Sequence, residues 1–379
     1  MPGRAQRLFV VSPAGADFSD FSMKVAALVS GGVDSSVALH LVRQAGHDVR
    51  AFYLKVWLEN ELEYLGQCPW EEDLEYVRAV CEEARVPLEV ISVQRAYWDR
   101  VIEHALVEIR SGRTPNPDVL CNTHVKFGAF LDAIEPGFER VVTGHYARVG
   151  RADGDARLTL AKDAFKDQTY FLANLSAAQL ARAEFPIGSL EKREVREMAG
   201  QLNLPNQSRP DSQGLCFLGK ISFRDFVRHH LGERPGPIVE FETGAVLGEH
   251  SGVWFYTIGQ RQGLGLSGGP WYVVKKDLEN NRVLVSRDYF TEDKPRNSFR
   301  VSRLNWLRSP ESSALRVKVR HGEHFYHCTI VPGSDFLDVT LDAADQGIAP
   351  GQYAVFYEED VCLGCGVIEE ELAVSRRSP

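Results

Sequence analysis

Nowhere does the sequence run through the roughly eighteen consecutive apolar residues that a membrane-spanning helix requires, which excludes a helical membrane protein. Basic charge is not in excess: Lys and Arg total 43 against 52 Asp and Glu, a formal net charge of −9. Taken over the whole chain, that balance argues against a nucleic-acid partner, because phosphate binding calls for a cationic face. No Walker A loop, G-x-x-x-x-G-K-[ST], occurs. The 7 cysteines are odd in number and scattered, which excludes the dense even framework of a small secreted domain. They read as thiols in a reducing, cytoplasmic-type compartment. Cys362 and Cys365 form a C-x-x-C with no second ligand pair to complete a four-ligand zinc site. The pair therefore reads as a coincidence near a β-turn, and no metal centre is expected. Residues 1–22 lack the apolar centre of a secretory signal and read as a disordered leader, or the stub of an organelle-targeting segment.

A chain of 379 residues exceeds what one core usually organises, so two or three domains are expected. From Met23, short apolar runs alternate with helical patterns. Lys24–Ser30 reads as a buried strand, Val37, Leu41 and Ala45 as one helical face, and Trp98 to Ile109 as a further helix. That alternation predicts an α/β doubly wound parallel sheet over 23–220. One more helix follows near 221–231, and Gly, Pro and short strands then take over. The spacing predicts a small mixed domain over 221–294 and a C-terminal antiparallel β-barrel over 295–379. Gly263-Leu264-Gly265-Leu266-Ser267-Gly268 matches a dinucleotide fingerprint in form, but it precedes a strand rather than a helix, so it reads as a glycine-rich loop.

Three segments carry chemistry. Ser30-Gly31-Gly32-Val33-Asp34-Ser35-Ser36 lies between the first strand and the first helix. Two glycines allow close backbone approach, the serines offer hydroxyls, and the helix start points its N–H groups at the same place. This phosphate cradle resembles the PP-loop of ATP pyrophosphatases. Thr114-Pro115-Asn116-Pro117-Asp118-Val119-Leu120-Cys121 is a loop stiffened by two prolines. Asp118 is a candidate proton-transfer group and Cys121 a candidate nucleophile; the alternative is a proline-capped helix start with a buried cysteine. Asp211-Ser212-Gln213-Gly214-Leu215-Cys216 sets another thiol among polar and glycine residues, surroundings that favour reactivity.

Together these three segments resemble those of tRNA-specific 2-thiouridylases, as do Thr143-Gly144-His145-Tyr146-Ala147, Lys166 to Leu172 and Tyr256 to Leu264. The resemblance runs from about residue 24 to 370. It implies ATP, with Mg2+, bound by Leu28, Val29, Ser30, Gly31, Gly32, Val33, Asp34, Ser35, Leu54 and Gly144. It implies that Asn116, Pro117 and Asp118 contact the target base, with Asp118 as general acid/base. Lys166, Asp167, Gln168, Arg320 and His321 would touch tRNA; His321 stands where the family commonly has an aromatic. Cys216 would carry a persulfide loaded by a sulfur-relay protein or cysteine desulfurase, and Cys121 would end in a disulfide with Cys216. Sulfide release at Cys216 first is the alternative order. The tRNA partners would be of the Lys, Glu and Gln types. The stretch Glu59–Trp70 resembles plastid-type homologues, so a plastid or mitochondrion is the alternative compartment.

Two rivals remain at this stage: a small-molecule PP-loop ligase, and an RNA-binding protein with a decayed catalytic core. RNA binding puts the whole-chain charge under strain. Between Lys294 and Arg320 there are Lys294, Arg296, Arg300, Arg303, Arg308, Arg316, Lys318 and Arg320 against the single acid Glu311. A local basic face is therefore expected there.

Overall fold

The computed structural model describes residues 22–56, 70–152, 154–211, 222–288, 296–345 and 347–369. Its first strand, β1 (Lys24–Leu28), holds Val25, Ala26 and Ala27 at no more than 1% exposure. A strand apolar on both faces needs cover on both, and suits the middle of a parallel sheet. Five parallel strands run in the order β3 (Leu88–Ser92), β2 (Asp48–Lys55), β1, β4 (Arg140–Val142) and β7 (Ala183–Glu184). Val25 is in register with Val49 on one side and Arg140 on the other. The strand order reverses between β1 and β4, where open α/β sheets take ligands at the strands' carboxyl ends.

Three helices cover one face: α1 (Val33–Gln44), α2 (Trp70–Ala84) and, later in the chain, α7 (Lys192–Gln201). Val37, Leu39, Leu74, Val77, Val195 and Ala199 form one apolar cluster with Val25 and Ala27. Beyond β3 come two long helical runs, α3 over 94–110 and α4 over 117–133. The second is α-helical over Pro117–Cys121 and then winds in wider i→i+5 turns over Asn122–Ala129. Phe127 and Phe130 of α4 pack under the opposite face of the sheet, with Phe130 edge-on to Phe52 at 5.1 Å. Short helices α5 (Thr169–Leu172) and α6 (Ala177–Arg182) complete that side.

After α8 (Phe223–Leu231), a four-stranded sheet runs in the order β10 (Tyr272–Asp277), β11 (Arg282–Ser286), β8 (Gly236–Glu240) and β9 (Val246–His250). A hairpin joins β10 to β11 and turns at Asn281, whose φ of 52° is one that asparagine tolerates. Six strands then close a barrel in the order β12 (Ser298–Trp306), β15 (Phe336–Leu341), β14 (Tyr326–Pro332), β13 (Ala314–Lys318), β16 (Tyr353–Glu358) and β17 (Val361–Ile368). β17 returns to β12.

The barrel does not stand apart. Strand β16 is buried on both faces: Ala354 and Phe356 fill the barrel, while Tyr353, Val355 and Tyr357 join the cluster beneath β1 and β2. Cys362 and Cys365, expected near a turn, instead lie within β17 at 1% exposure each and pack in that shared cluster. Burial pushes the Cys362 thiol up to about 12, as suits an inert core cysteine. The hairpin of β5 (Arg148–Ala152) and β6 (Asp155–Thr159) extends the barrel sheet by pairing Thr159 with Val361. Among the described residues no helix is long and apolar enough to cross a membrane.

Candidate functional site

The cradle is built by the turn between β1 and α1. Gly31 has φ +79°, a conformation that costs glycine little. Ser35 holds the turn from within, accepting from Ser30 N at 3.1 Å and donating to the Gly32 carbonyl at 3.1 Å. Ser36 donates to the same carbonyl at 3.0 Å. A Cβ on Gly144 would lie 2.6 Å from Ser35 N, so only glycine lets the end of β4 approach the helix start this closely. Leu28, Val29 and Val33 are buried beneath the cradle, at 9, 4 and 4% exposure.

Four further groups support this turn, and only Tyr146 among them lies in a segment that the sequence singled out. Asn206, 1% exposed, donates to the Gly31 carbonyl at 2.8 Å and to Ser36 Oγ at 2.9 Å. Arg209 donates to the same carbonyl at 3.1 Å and pairs with Asp73 of α2. Lys192, at the start of α7, holds Asp34 through Oδ1 at 2.7 Å and Oδ2 at 2.9 Å, and it lies 2.7 Å from Asp211. Tyr146 donates to Asp34 at 2.9 Å. Lys192 sits in a run of charges that reads as a solvated helix start, and Asn206 and Arg209 sit in a loop without periodicity. Nothing in their local sequence marks them.

The second element is the loop 113–116 and the helix start after it. Asn116 caps α4 by accepting from Val119 N at 3.3 Å, with Pro117 at the first helical position. The segment is a proline-capped helix start with a buried cysteine, the alternative that the sequence offered, and Asp118 lies in its first turn. Cys121 is 4% exposed among Leu120, Val125, Ile102 and Phe226. Burial raises the Asp118 carboxyl above its ordinary value, opposed by the Lys126 charge. The same Lys126 acts on His145, which burial keeps neutral well below its usual range and which bonds Thr143 at 2.6 Å. Leu54, at the end of β2, packs against both the cluster holding Leu28 and Val119 and the one holding Cys121. The cradle and the Asp118–Cys121 helix thus border one region at the carboxyl end of the sheet. Cys216 lies outside the described residues.

The expected RNA contacts divide. Lys166 is 2.9 Å from Asp211, which also meets Lys192 and Arg196. Burial disfavours the charged Asp211, but the hydrogen bonds from Lys192 and Lys166 override it and pull the carboxyl far down. Asp167 is 3% exposed and meets Lys318, itself 1% exposed, at 3.1 Å. Its other bonds come from Ala161 N and Thr169 Oγ1. The Asp167 carboxylate is therefore an interior link to the barrel, not a surface contact for RNA. Gln168 Oε1 accepts from Tyr146 N at 2.9 Å. On the barrel, Arg320 holds the buried Asp345, and His321 lies 4.5 Å from the Phe171 ring.

Five of the seven described cations in the stretch expected to form a basic face, between residues 294 and 320, meet acids in the fold. Arg300 pairs with Asp338, Arg308 with Glu311, Lys318 with Asp167 and Arg320 with Asp345. Arg303 reaches Glu108 at 3.9 Å. Most of these acids come from other elements, so counting charges along one stretch missed them. Lys294 lies outside the described residues.

A phosphate cradle at a sheet's switch point, without a Walker lysine, places the chain in the class of PP-loop nucleotide-binding proteins. Three family models match it in succession: the tRNA methyl transferase HUP domain over 23–220, the tRNA methyl transferase PRC-barrel domain over 224–287 and the aminomethyltransferase beta-barrel domain over 296–368. The chain is 44% identical over 357 residues to the tRNA-specific 2-thiouridylase MnmA of Parabacteroides distasonis, covering 92% of this chain and 99% of that protein. It is 45% identical over 356 residues to the tRNA-specific 2-thiouridylase MnmA 1 of Bacteroides thetaiotaomicron, covering 91% and 99%. The chain belongs to the tRNA-specific 2-thiouridylase family.

Proposed function

We propose that this protein catalyses ATP-dependent 2-thiolation of the wobble uridine, position 34, of tRNA. The observation that carries the reading is the meeting of the phosphate cradle and the Asp118–Cys121 helix at one sheet edge, in a chain of this family. A pyrimidine carbonyl is a poor electrophile, so its oxygen must first become a leaving group. The C2 oxygen attacks the α-phosphate of ATP and pyrophosphate departs. The cradle's N–H groups, the α1 N-terminus and Lys192 stabilise the departing charge. The terminal sulfur of a Cys216 persulfide then adds at C2. Cys121 attacks the Cys216 sulfur, the S–S bond breaks with its electron pair left on the base sulfur, and AMP leaves. A Cys121–Cys216 disulfide remains for an external thiol to reduce. Asp118, its carboxyl raised by burial, moves the proton at the base.

Mg2+ would enter this site with the nucleotide, in exchange for the Lys192 contacts of Asp34 and Asp211. Magnesium is commonly held by one or two carboxylates together with substrate phosphates and water, and Asp34 and Asp211 are the carboxylates that would hold it. No group of three or more His, Cys, Asp or Glu forms a metal cluster among the described residues. When bound, the ion would neutralise phosphate charge.

The sulfur donor is a sulfur-relay protein or cysteine desulfurase, the RNA partners are of the Lys, Glu and Gln types, and the compartment is a reducing, cytoplasmic-type one. The boundaries 23–220, 221–294 and 295–379 mark a catalytic, a central and an RNA-binding unit. The test is incubation with ATP, a persulfide donor and unmodified tRNA, followed by mass spectrometry of the wobble nucleoside. 2-Thiouridine is expected, and its absence would overturn the reading. Cys121→Ser and Cys216→Ser are both expected to abolish it. A small-molecule ligase would survive both substitutions.

A further inference from the structure

The loop that precedes Asp118 and Cys121 is completed from the barrel. Residues 113–116 include Pro115, and Pro117 follows, so two N–H donors are missing, while the carbonyls of Thr114 and Pro115 still need partners. Gln352, at the entry to β16, supplies both: its Nε2 donates to Thr114 O at 2.9 Å and to Pro115 O at 3.0 Å. Its Oε1 accepts from Asn116 Nδ2 and from Tyr170 OH, each at 3.4 Å. Thr114 N donates in turn to Pro350 O at 2.7 Å. One carboxamide thus uses both of its donors on the loop and its oxygen on Asn116, and it shares the Tyr170 hydroxyl with Tyr353 O at 3.0 Å.

The clasp rests on a rigid base. Gly351 N donates to Ile368 O, and Ile368 N donates to Gln352 O, both at 2.8 Å, so the turn is tied to the last residue of β17. Gly351 has φ +91°, and a Cβ there would lie 2.9 Å from Arg113 Cβ and from Thr114 N. The loop and turn are in direct backbone contact.

The consequence runs through Asn116. Its Oδ1 caps α4 at Val119 N while its Nδ2 donates to Gln352, so Gln352 fixes which way the Asn116 amide faces. An amide turned the other way would present N–H to N–H at the cap. Asp118 lies two residues beyond the cap and Cys121 five, at the start of a helix whose orientation the cap sets.

We propose that Gln352 is a positioning residue: the barrel turn 349–352 sets the catalytic helix through Gln352 and Asn116, so that barrel docking assembles the Asp118–Cys121 site. The purpose assigned to this clasp rests on the thiolation reading; the geometry does not. The barrel then has a task in catalysis beyond any contact with RNA.

The test uses the full chain with Gln352→Ala, Gln352→Glu and Tyr170→Phe. Hydrogen exchange without substrates is expected to quicken at amides 118–121 by roughly tenfold or more in both Gln352 variants, the effect of losing two neutral hydrogen bonds. Amides of β12 and β15 are expected to stay unchanged, which reports an intact barrel. Tyr170→Phe removes the hydroxyl that bonds Tyr353 O at 3.0 Å and meets Gln352 Oε1 at 3.4 Å, and it is expected to shift the same amides in the same direction by less. In single-turnover assays kcat is expected to fall by roughly ten- to a hundredfold, as misplacement of a reacting group does. The Kd for tRNA is expected to stay within about threefold. Unchanged exchange at 118–121 in all three variants would overturn the proposal. So would a loss of tRNA affinity equal to the loss of turnover, which would make Gln352 an RNA contact instead. The exchange arm needs no substrate, so it stands or falls apart from the thiolation reading, which the wild-type product assay tests.

Discussion

At the scale of single residues, Asp118 and Lys192 carry opposite electrostatic tasks. Asp118 is held by burial with its carboxyl raised above the unfolded value. A raised carboxyl favours folding in its protonated form, so its contribution is fully present below the unfolded pKa and is lost as pH rises through the folded one. Asp118→Asn is therefore expected to leave stability at neutral pH equal or higher, while thiolation falls by about a hundredfold or more, the usual weight of a general acid/base. Urea unfolding of both proteins at pH 7, beside the nucleoside assay, checks this. A variant that loses activity and stability together would show that Asp118 is a packing residue. Lys192 is the reverse case, a cation held between Asp34 and Asp211. Lys192→Met is expected to weaken ATP binding and pyrophosphate release by about tenfold or more, since a hydrogen bond to a charged group is worth about 1.5–3 kcal/mol. Binding of tRNA without ATP is expected to be unchanged.

At the scale of elements, the cradle depends on one strand end meeting one helix start. Gly144→Ala would set a Cβ 2.6 Å from Ser35 N and 2.8 Å from Asp34 C, against backbone that cannot rotate away. Overpacking of that kind costs about 1–3 kcal/mol. Because the atoms that must move are those of the cradle, the loss is expected to appear chiefly as about a tenfold weaker Kd for ATP, readable by calorimetry. This is also where the sequence was most legible. Ser30 to Ser36 are neighbours in the chain, and strand, turn and helix start are local structures that local sequence specifies. The strands of the barrel were legible for the same reason. Asn206, Arg209 and Lys192 were not, because each acts on Gly31 or Asp34 from more than 150 residues away. Their meaning exists only once the sheet has brought them together. Arg300 and Arg303 of β12 and Arg320 beyond β13 show the converse: a run of like charges is visible locally, and the Asp338, Glu108 and Asp345 that answer it are not.

At the scale of the whole molecule, the first sheet and the barrel share one apolar cluster. Tyr353, Val355 and Tyr357 bury their side chains in the same cluster as Phe52 and Tyr170, and Asn305 of β12 donates to Ala173 O and Leu175 O. The buried pair Asp167–Lys318 lies within this joint, completed by Thr169, which also bonds the Tyr357 hydroxyl at 3.0 Å. A buried ion pair adds little over well-packed apolar residues, yet removing one partner leaves the other charged in the interior. Lys318→Met is therefore expected to cost about 3–5 kcal/mol, because Asp167 keeps its burial and loses its cation. Asp167→Leu combined with Lys318→Met is expected to recover most of that loss, since the orphaned charge has gone. Urea unfolding followed by Trp fluorescence checks both, and Trp306 on β12 beside Phe356 reports the barrel. If the joint is cooperative, the single variant moves the whole transition to lower urea. If instead it splits the transition in two, barrel first, the two parts fold separately, and the joint holds them together without contributing to the stability of either.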